Sequence, residues 1–355
     1  MILHLLLSLI TLVPTSDTAT IVFAGDAMQH QRQLDSSRKS NGAYDYSGYC
    51  DSIADYVSSA DYAVINLETP IAKSKHSGYP NFNAPTEFVE ELAKTGFDMF
   101  LTANNHALDR GDKGLRQTID KLDTLKLDHL GTYHNSKHRK ECLPIIRDIR
   151  SFKIGFLNYT YGTNGISPTS NAVVDYINRA KIAADIKATR EAGAELICVC
   201  IHWGEEHKLL PNNAQKSLAD FLINQDVDLI IGSHPHVIQP IELKTNPNTG
   251  RNTLLVYSLG NFVSNMTQAN TRGGLMVRAT LNRDEDGVAY VALADYRLIF
   301  TLHPYGKADN YKVIPIDEET DIDKSTGSQS IKCHSFTSTA LQILNKYNIN
   351  VTRKK

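Results

Sequence analysis

Short apolar runs that keep ending in a carboxylate, an amide or an imidazole constrain this chain more than any other feature. "TIVFAGD" ends on Asp26, "AVINLE" on Glu68, "FLTANNH" on Asn105 and His106, "ICVCIH" on His202, and "VDLIIGSHPH" on His234 and His236. Between these runs lie stretches with helical spacing. Phe88, Leu92 and Ala93 share one side of "EFVEELAKTGF", and Leu115, Ile119 and Leu122 one side of "GLRQTIDKLDTLK". The long "NRAKIAADIKATREAGA" stops at Gly193. Strand and helix in alternation predict an α/β sheet with helices on its outer faces. The later runs "NTLLVYSLGNF", "GGLMVRATLN", "YVALADYRLIF" and "YKVIPID" have little helix between them, which predicts an antiparallel portion or a second sheet. One domain is expected over residues 20–315. A polar tail over 316–355, with a short helix in "FTSTALQILNKYN", follows it.

Charge and composition narrow the function. A formal net charge of −2 shows no basic excess for nucleic acid and no acidic excess for a solvating tail. With 41% hydrophobic and 21% charged residues the chain is globular, not disordered. The basic cluster "KHRK" (Lys137 to Lys140) reads as a solvated loop; its sharper reading is an anchor for an anionic polymer. The apolar run from Ile2 to Val13 stops at Pro14 and is too short to span a bilayer. It fits a secretory leader over residues 1–19, with cleavage near Ala19, and so predicts export; the alternative is a buried first element. Five irregularly spaced cysteines make a poor disulfide framework, and Cys198 and Cys200, two apart in a strand, read as small buried residues on one face.

The strand-end residues carry the chemistry. Ligand sites of α/β sheets gather at the carboxyl ends of strands. Taken singly, Asp26 reads as a turn residue, Glu68 as an exposed strand end and His202 as a core histidine; their recurrence strand after strand favours a site. A mixed oxygen and nitrogen donor set suits Mn²⁺, Fe or Zn²⁺ better than Ca²⁺. The candidates are too many for one four-coordinate ion and fit two ions that share a bridging carboxylate. His234 and His236, two apart on an extended chain, would project to the same side, with Pro235 stiffening the loop. Asp109 is spaced to orient His106 by a carboxylate–imidazole contact. Gly260 and Asn261 in "SLGNF" suit a tight turn near the site, and Asn261 is weighed there as a ligand contact. Trp203, Glu205 and Glu206 flank His202.

The motifs "FAGDAM", "INLETPI", "ANNHALDRG", "IHWGEE", "GSHPHVIQPIE" and "YSLGNFVSN" resemble the CapA family of capsule synthesis proteins, tied to poly-γ-glutamate capsules. That family is similar in turn to the calcineurin-like metallophosphoesterases. The resemblance implies a two-sheet sandwich flanked by helices, in four layers. It further implies that Asp26 and His236 serve a first metal ion, that Glu68 bridges, and that Asn105, His202 and His234 serve a second. His106 is implied to donate a proton rather than to bind metal. The phosphoesterase pair of Asp and His two residues apart is absent, because Met28 stands where the His belongs; His30, four past Asp26, would need another backbone path. The function expected is that of an exported metal-binding protein, a dinuclear hydrolase if it is an enzyme. It would act in synthesis, release or handling of an anionic polymer such as poly-γ-glutamate or another cell-envelope substrate, with a membrane biosynthesis complex as partner. The rivals are a phosphodiesterase or phosphatase on another substrate and a non-catalytic accessory subunit of a polymer-export complex.

Overall fold

The computed structural model describes residues 17–306, 309–316 and 327–354. The expected leader lies almost wholly outside them. Two sheets form the body. In the first, β1 (Ala19–Ala27), β2 (Tyr62–Leu67), β3 (Met99–Leu101) and β4 (Asp128–Leu130) run parallel. On the other side of β1, β14 (Gly273–Arg283), β15 (Ala289–Leu302) and β16 (Lys312–Ile316) add an antiparallel meander. The short β13 (Asn261–Val263) pairs with the end of β1, and β17 (Thr352–Arg353) pairs with β15. The second sheet has the order β11 (Ile241–Thr245), β12 (Asn252–Val256), β10 (Leu229–Ser233), β9 (Leu196–His202), β7 (Phe152–Thr160) and β6 (Ile145–Ile149). A two-stranded ribbon of β5 (Thr132–Tyr133) and β8 (Val173–Val174) stands apart.

Period-two alternation decides which side chains meet. In β1, Ile21 and Phe23 enter the core between the sheets, while Val22 and Ala24 face the opposite way. In β9, Leu196, Cys198 and Cys200 point inward, and Ile197, Val199 and Ile201 outward. The two cysteines are thus buried on one face as expected, unbridged, with their sulfurs 3.8 Å apart. The outer face of the first sheet is covered by α2 (Ala54–Ser58) and α3 (Thr86–Thr95), through Val57, Phe88 and Leu92. The outer face of the second is covered by α6 (Arg179–Glu191) and α7 (Asn213–Asn224), through Ile182, Ile186, Leu218 and Leu222. The result is the expected four-layer α/β/β/α sandwich. Each buried Leu, Ile or Phe contributes about 1.5–3 kcal/mol relative to exposure, so both faces of both sheets stabilise the same unit.

Three details depart from the sequence reading. "KHRK" is not a loop but part of α5 (Ser136–Cys142), and its cations are not all free. Arg139 is clamped by Asp175 at 2.6 Å and Asp185 at 2.5 Å, and Lys137 pairs with Glu141 at 3.6 Å. A further helix, α1 (Gln31–Ser37), follows β1 directly, and α4 (Gly111–Thr124) lies where it was expected. The boundary at 315 falls inside β16, and the C-terminal helix α8 (Ser328–Tyr347) starts earlier than the motif suggested. Its Cys333, Phe336, Ala340 and Leu344 join the core between the sheets, so this helix is part of the domain rather than of a tail. Apolar residues spaced three and four apart (333, 336, 340, 344) carry that burial, which the polar residues around them mask in a composition-based reading.

Candidate metal centre

The carboxyl ends of the parallel strands of both sheets meet at one place, and every strand-end residue singled out in the sequence is there. Asp26 lies near the end of β1, Glu68 just past β2, and Asn105 and His106 in the loop after β3. From the other sheet come His202, the last residue of β9, and His234 and His236, in the loop after β10. His202 has the inward parity of Cys198 and Cys200, which aims it between the sheets. The "GD" of β1 has a steric cause. A Cβ on Gly25 would stand 1.9 Å from the Gly260 carbonyl oxygen, so only glycine lets β1 approach the 258–260 turn and deliver Asp26.

Polar contacts across the gap tie the sheets together. The His236 Nδ1 lies 3.1 Å from Asp26 Oδ2 and 3.0 Å from Asn261 Oδ1. With acceptors on both sides it carries the proton there, which leaves Nε2 with its lone pair 3.8 Å from Glu68 Oε1. His202 sets Nδ1 2.9 Å from Ser233 Oγ and Nε2 2.9 Å from Asn105 Oδ1, and that Nε2 is 3.7 Å from Glu68 Oε1. His106 turns Nδ1 to Asp109 Oδ2 at 2.7 Å, the contact expected, and its Nε2 reaches within 4.0 Å of Glu68 Oε1. Asp109 is itself held by the Phe82 amide, which donates to Oδ2 at 2.7 Å.

Glu68 is the centre of this arrangement. It is fully buried, and neither carboxylate oxygen has a hydrogen-bond partner. Nδ1 of the buried His234 is unpartnered too. Leaving a buried carboxylate unpaired costs several kcal/mol. Burial and the adjacent Asp26 charge therefore push the Glu68 carboxyl well above its ordinary range. Burial, then the neighbouring imidazoles, push His202 well below its ordinary value, and the same causes bring His234 down to about 3. Burial also pulls on His236, but the Asp26 hydrogen bond and charge more than offset it and hold its pKa up. Lone pairs facing lone pairs around an orphaned carboxylate are a donor set for cations. Two groups of candidate donors share Glu68: Asp26, Glu68 and His236, and Glu68, His202 and His234. Within each group the ligand atoms lie within 4.8 Å of one another. A third group joins the exposed Glu206 to His234 and His236.

His234 and His236 do not sit on an extended chain: both have left-handed backbones, with φ of 100° and 58°. They converge because the chain bends at each, bringing the ring centroids to 5.9 Å. Met28 is buried, and His30 does not replace it: its Nδ1 lies 3.3 Å from Gln33 Oε1 at the start of α1 and 3.3 Å from the Asn265 amide. Asn261 braces His236 from behind, through the 3.0 Å contact above. Trp203 packs on the α6/α7 side of the second sheet and donates its indole N–H to the Tyr257 carbonyl at 2.8 Å, and Glu205 accepts from the Asn212 side-chain amide at 3.0 Å.

Two residues escaped the sequence reading. Asn66 donates to Asp26 Oδ1 at 2.7 Å and lies 3.4 Å from His202 Nδ1, so it aligns donors from both sheets. Its signal was present: a polar residue of inward parity in a strand that is buried throughout. Tyr161 lays its ring 4.5 Å from the His234 ring, and burial with the nearby Glu206 and Glu68 pushes its phenol up to about 12. Nothing in "NYTYG" pointed to it.

The fold and the buried carboxylate–imidazole cluster define a candidate metal-binding α/β protein. The chain belongs to the bacterial capsule synthesis protein family PGA_cap, whose model matches residues 20–266. It is 28% identical over 291 residues to the PGA biosynthesis protein CapA of Bacillus subtilis, covering 77% of this chain and 70% of that protein. It is 26% identical over 243 residues to the capsule biosynthesis protein CapA of Bacillus anthracis, covering 64% and 56%, so the chain spans little more than half the length of the latter. Among solved structures, the NAD nucleotidase NadN of Haemophilus influenzae aligns with 13% identity and a TM-score of 0.48, over 95% of this chain and 57% of that one.

Proposed function

We propose that this protein is an exported, metal-dependent hydrolase of capsule-type polymers, acting in the synthesis, release or handling of an anionic chain such as poly-γ-glutamate. The observation that carries the metal dependence is Glu68, buried and unpartnered among three imidazoles. Family membership and the names of the two Bacillus relatives support the polymer. Asp26, Glu68 and His236 would hold one divalent ion, Mn²⁺, Fe or Zn²⁺, and Glu68, His202 and His234 with Asn105 a second. When bound, such ions lower the pKa of water and neutralise charge that develops on the reacting oxygens. The chain's own residues do the rest. Asn66 and Asn261 hold Asp26 and His236 in register. Tyr161 screens the imidazoles from solvent on one side. His106, its ring oriented by the Asp109 contact at Nδ1, would donate a proton from Nε2 to the leaving group.

Metal analysis of the purified protein, followed by a hydrolysis screen after Mn²⁺ or Zn²⁺ loading, tests this. About two ions per chain and cleavage of γ-glutamyl polymer are expected. Cleavage of phosphodiesters instead would make it a phosphoesterase, and metal without turnover on any substrate an accessory subunit. Export rests on the apolar run that ends at Pro14. N-terminal sequencing of protein from the native cell should begin near residue 20, and a cytoplasmic product that keeps Met1 would refute it.

A further inference from the structure

We propose that the groove between the N-terminal turns of α6 and α7 is a substrate subsite, in which Arg179 receives an anionic side group next to the bond held at the metal centre. This rests on the function proposed above. The groove has a volume of about 440 Å³, and its walls include Tyr161, Ile177, Arg179, Trp203, Gly204 and Asn212.

Tyr161 borders both the groove and the candidate metal centre. The Tyr161 amide donates to the His202 carbonyl at 3.0 Å, and its ring leans on His234. Trp203 and Gly204 directly follow His202 in the chain. Gly204 has φ +92°, and a Cβ there would meet the Gln215 side chain at 2.7 Å, so the floor is kept bare by backbone geometry. Tyr161 remains 47% exposed, which leaves part of its ring to be covered by a ligand.

The outer end supplies charge. Arg179 Nη2 donates to the Ser217 carbonyl at 3.0 Å and to Ser217 Oγ at 2.7 Å, and the guanidinium lies 5.2 Å from the Phe221 ring centroid. It is thus oriented before any ligand arrives, through one nitrogen of a guanidinium that carries five N–H donors. The helix ends beside it are already capped: Asn178 accepts from Lys181 N, and Asn212 from Gln215 N. Among the groove's lining residues, the positive charge is that of Arg179. Of the neighbouring cations, Lys181 and Arg139 are paired with Asp175, and Lys216 lines a different groove. A planar guanidinium matches carboxylate and phosphate alike, and a polymer that repeats either group would seat one at Arg179 while a neighbouring linkage lies under Tyr161.

The test is calorimetric and needs no turnover. Full-chain protein is titrated with γ-linked tetraglutamate, with its fully amidated counterpart and with a glycerol phosphate trimer. Arg179→Gln and Arg179→Lys are run beside the parent, and metal content is measured for all three. Hydrogen bonds to a charged group contribute about 1.5–3 kcal/mol, so Arg179→Gln should weaken an acidic ligand by roughly 10–100-fold, with Lys recovering part of the loss and metal content unchanged. Equal binding of acid and amide, an Arg179→Gln protein that binds as well as the parent, or no binding of either acidic probe would overturn the subsite. Arg179-dependent binding of the phosphate trimer alone would uphold it while removing poly-γ-glutamate from the proposed function. A metal-free, inactive parent that still binds an acidic probe through Arg179 would sink the hydrolase and leave the subsite standing.

Discussion

Glutamine in place of Glu68 is expected to strip metal from the protein and at the same time to stabilise the metal-free fold. The two effects have one origin. Glu68 is the donor common to both carboxylate–imidazole groups, so its loss removes a ligand from each. Changes even to groups that only support a ligand cost about 10–100-fold in metal affinity or activity; loss of a shared ligand should cost at least that for both ions. Without metal, however, the buried carboxylate has no partner. Its pKa in the fold lies well above the ordinary 4.5, so between the two values the metal-free fold holds a proton that the unfolded chain has released. That stability is full below about pH 4.5 and is lost as the pH rises toward the folded value. Glu68→Gln abolishes this loss. Urea unfolding at neutral pH after chelation should find the variant more stable by about 1–3 kcal/mol, with a flatter dependence on pH above 4.5. A metal-free variant less stable than metal-free parent protein would show that Glu68 is satisfied by groups other than cations.

The second large effect separates His106 from His234. His234 offers an unpartnered Nδ1 to a donor group with Glu68 and His202, whereas His106 is tied to Asp109 and stands 4.0 Å from Glu68. His234→Ala should therefore lower metal content by about 10–100-fold in affinity. His106→Ala should leave metal largely in place and slow turnover by roughly 10²–10⁴-fold, the range for a general acid. Metal stoichiometry and turnover of the two variants, with folding checked by circular dichroism, decide the matter. Equal metal loss in both would make His106 a ligand, since its Nε2 already faces Glu68.

The alternation of strand and helix and most of the candidate site residues could be read from the chain because they follow from local periodicities, while the two-sheet sandwich was implied by the family resemblance. Two-residue alternation sets which side chains of a strand enter the core, and three- to four-residue spacing marks the covering helices. A polar residue at the end of an apolar strand is conspicuous on the same grounds, which is why Asp26, Glu68, Asn105, His202, His234 and His236 stood out before any contact was known. The tertiary structure alone decided how they meet. Asp26 and His236 are 210 positions apart, and Asn105 and His202 are 97 apart; each pair bridges the two sheets. Their distances depend on sheet packing, on the close approach at Gly25 and on the left-handed bends at His234 and His236, none of which has a local signature. The same holds for Tyr161 and Arg179, whose positions come from loops and helix ends brought beside His202 by chain that folds elsewhere. It holds for α8 as well, whose sparse apolar stripe becomes core only because the two sheets leave an opening that fits it. Local pattern determines what a segment can become and which face it buries; the separation between groups distant in sequence is set by the packing of layers, and that is where the unpartnered carboxyl of Glu68 arises.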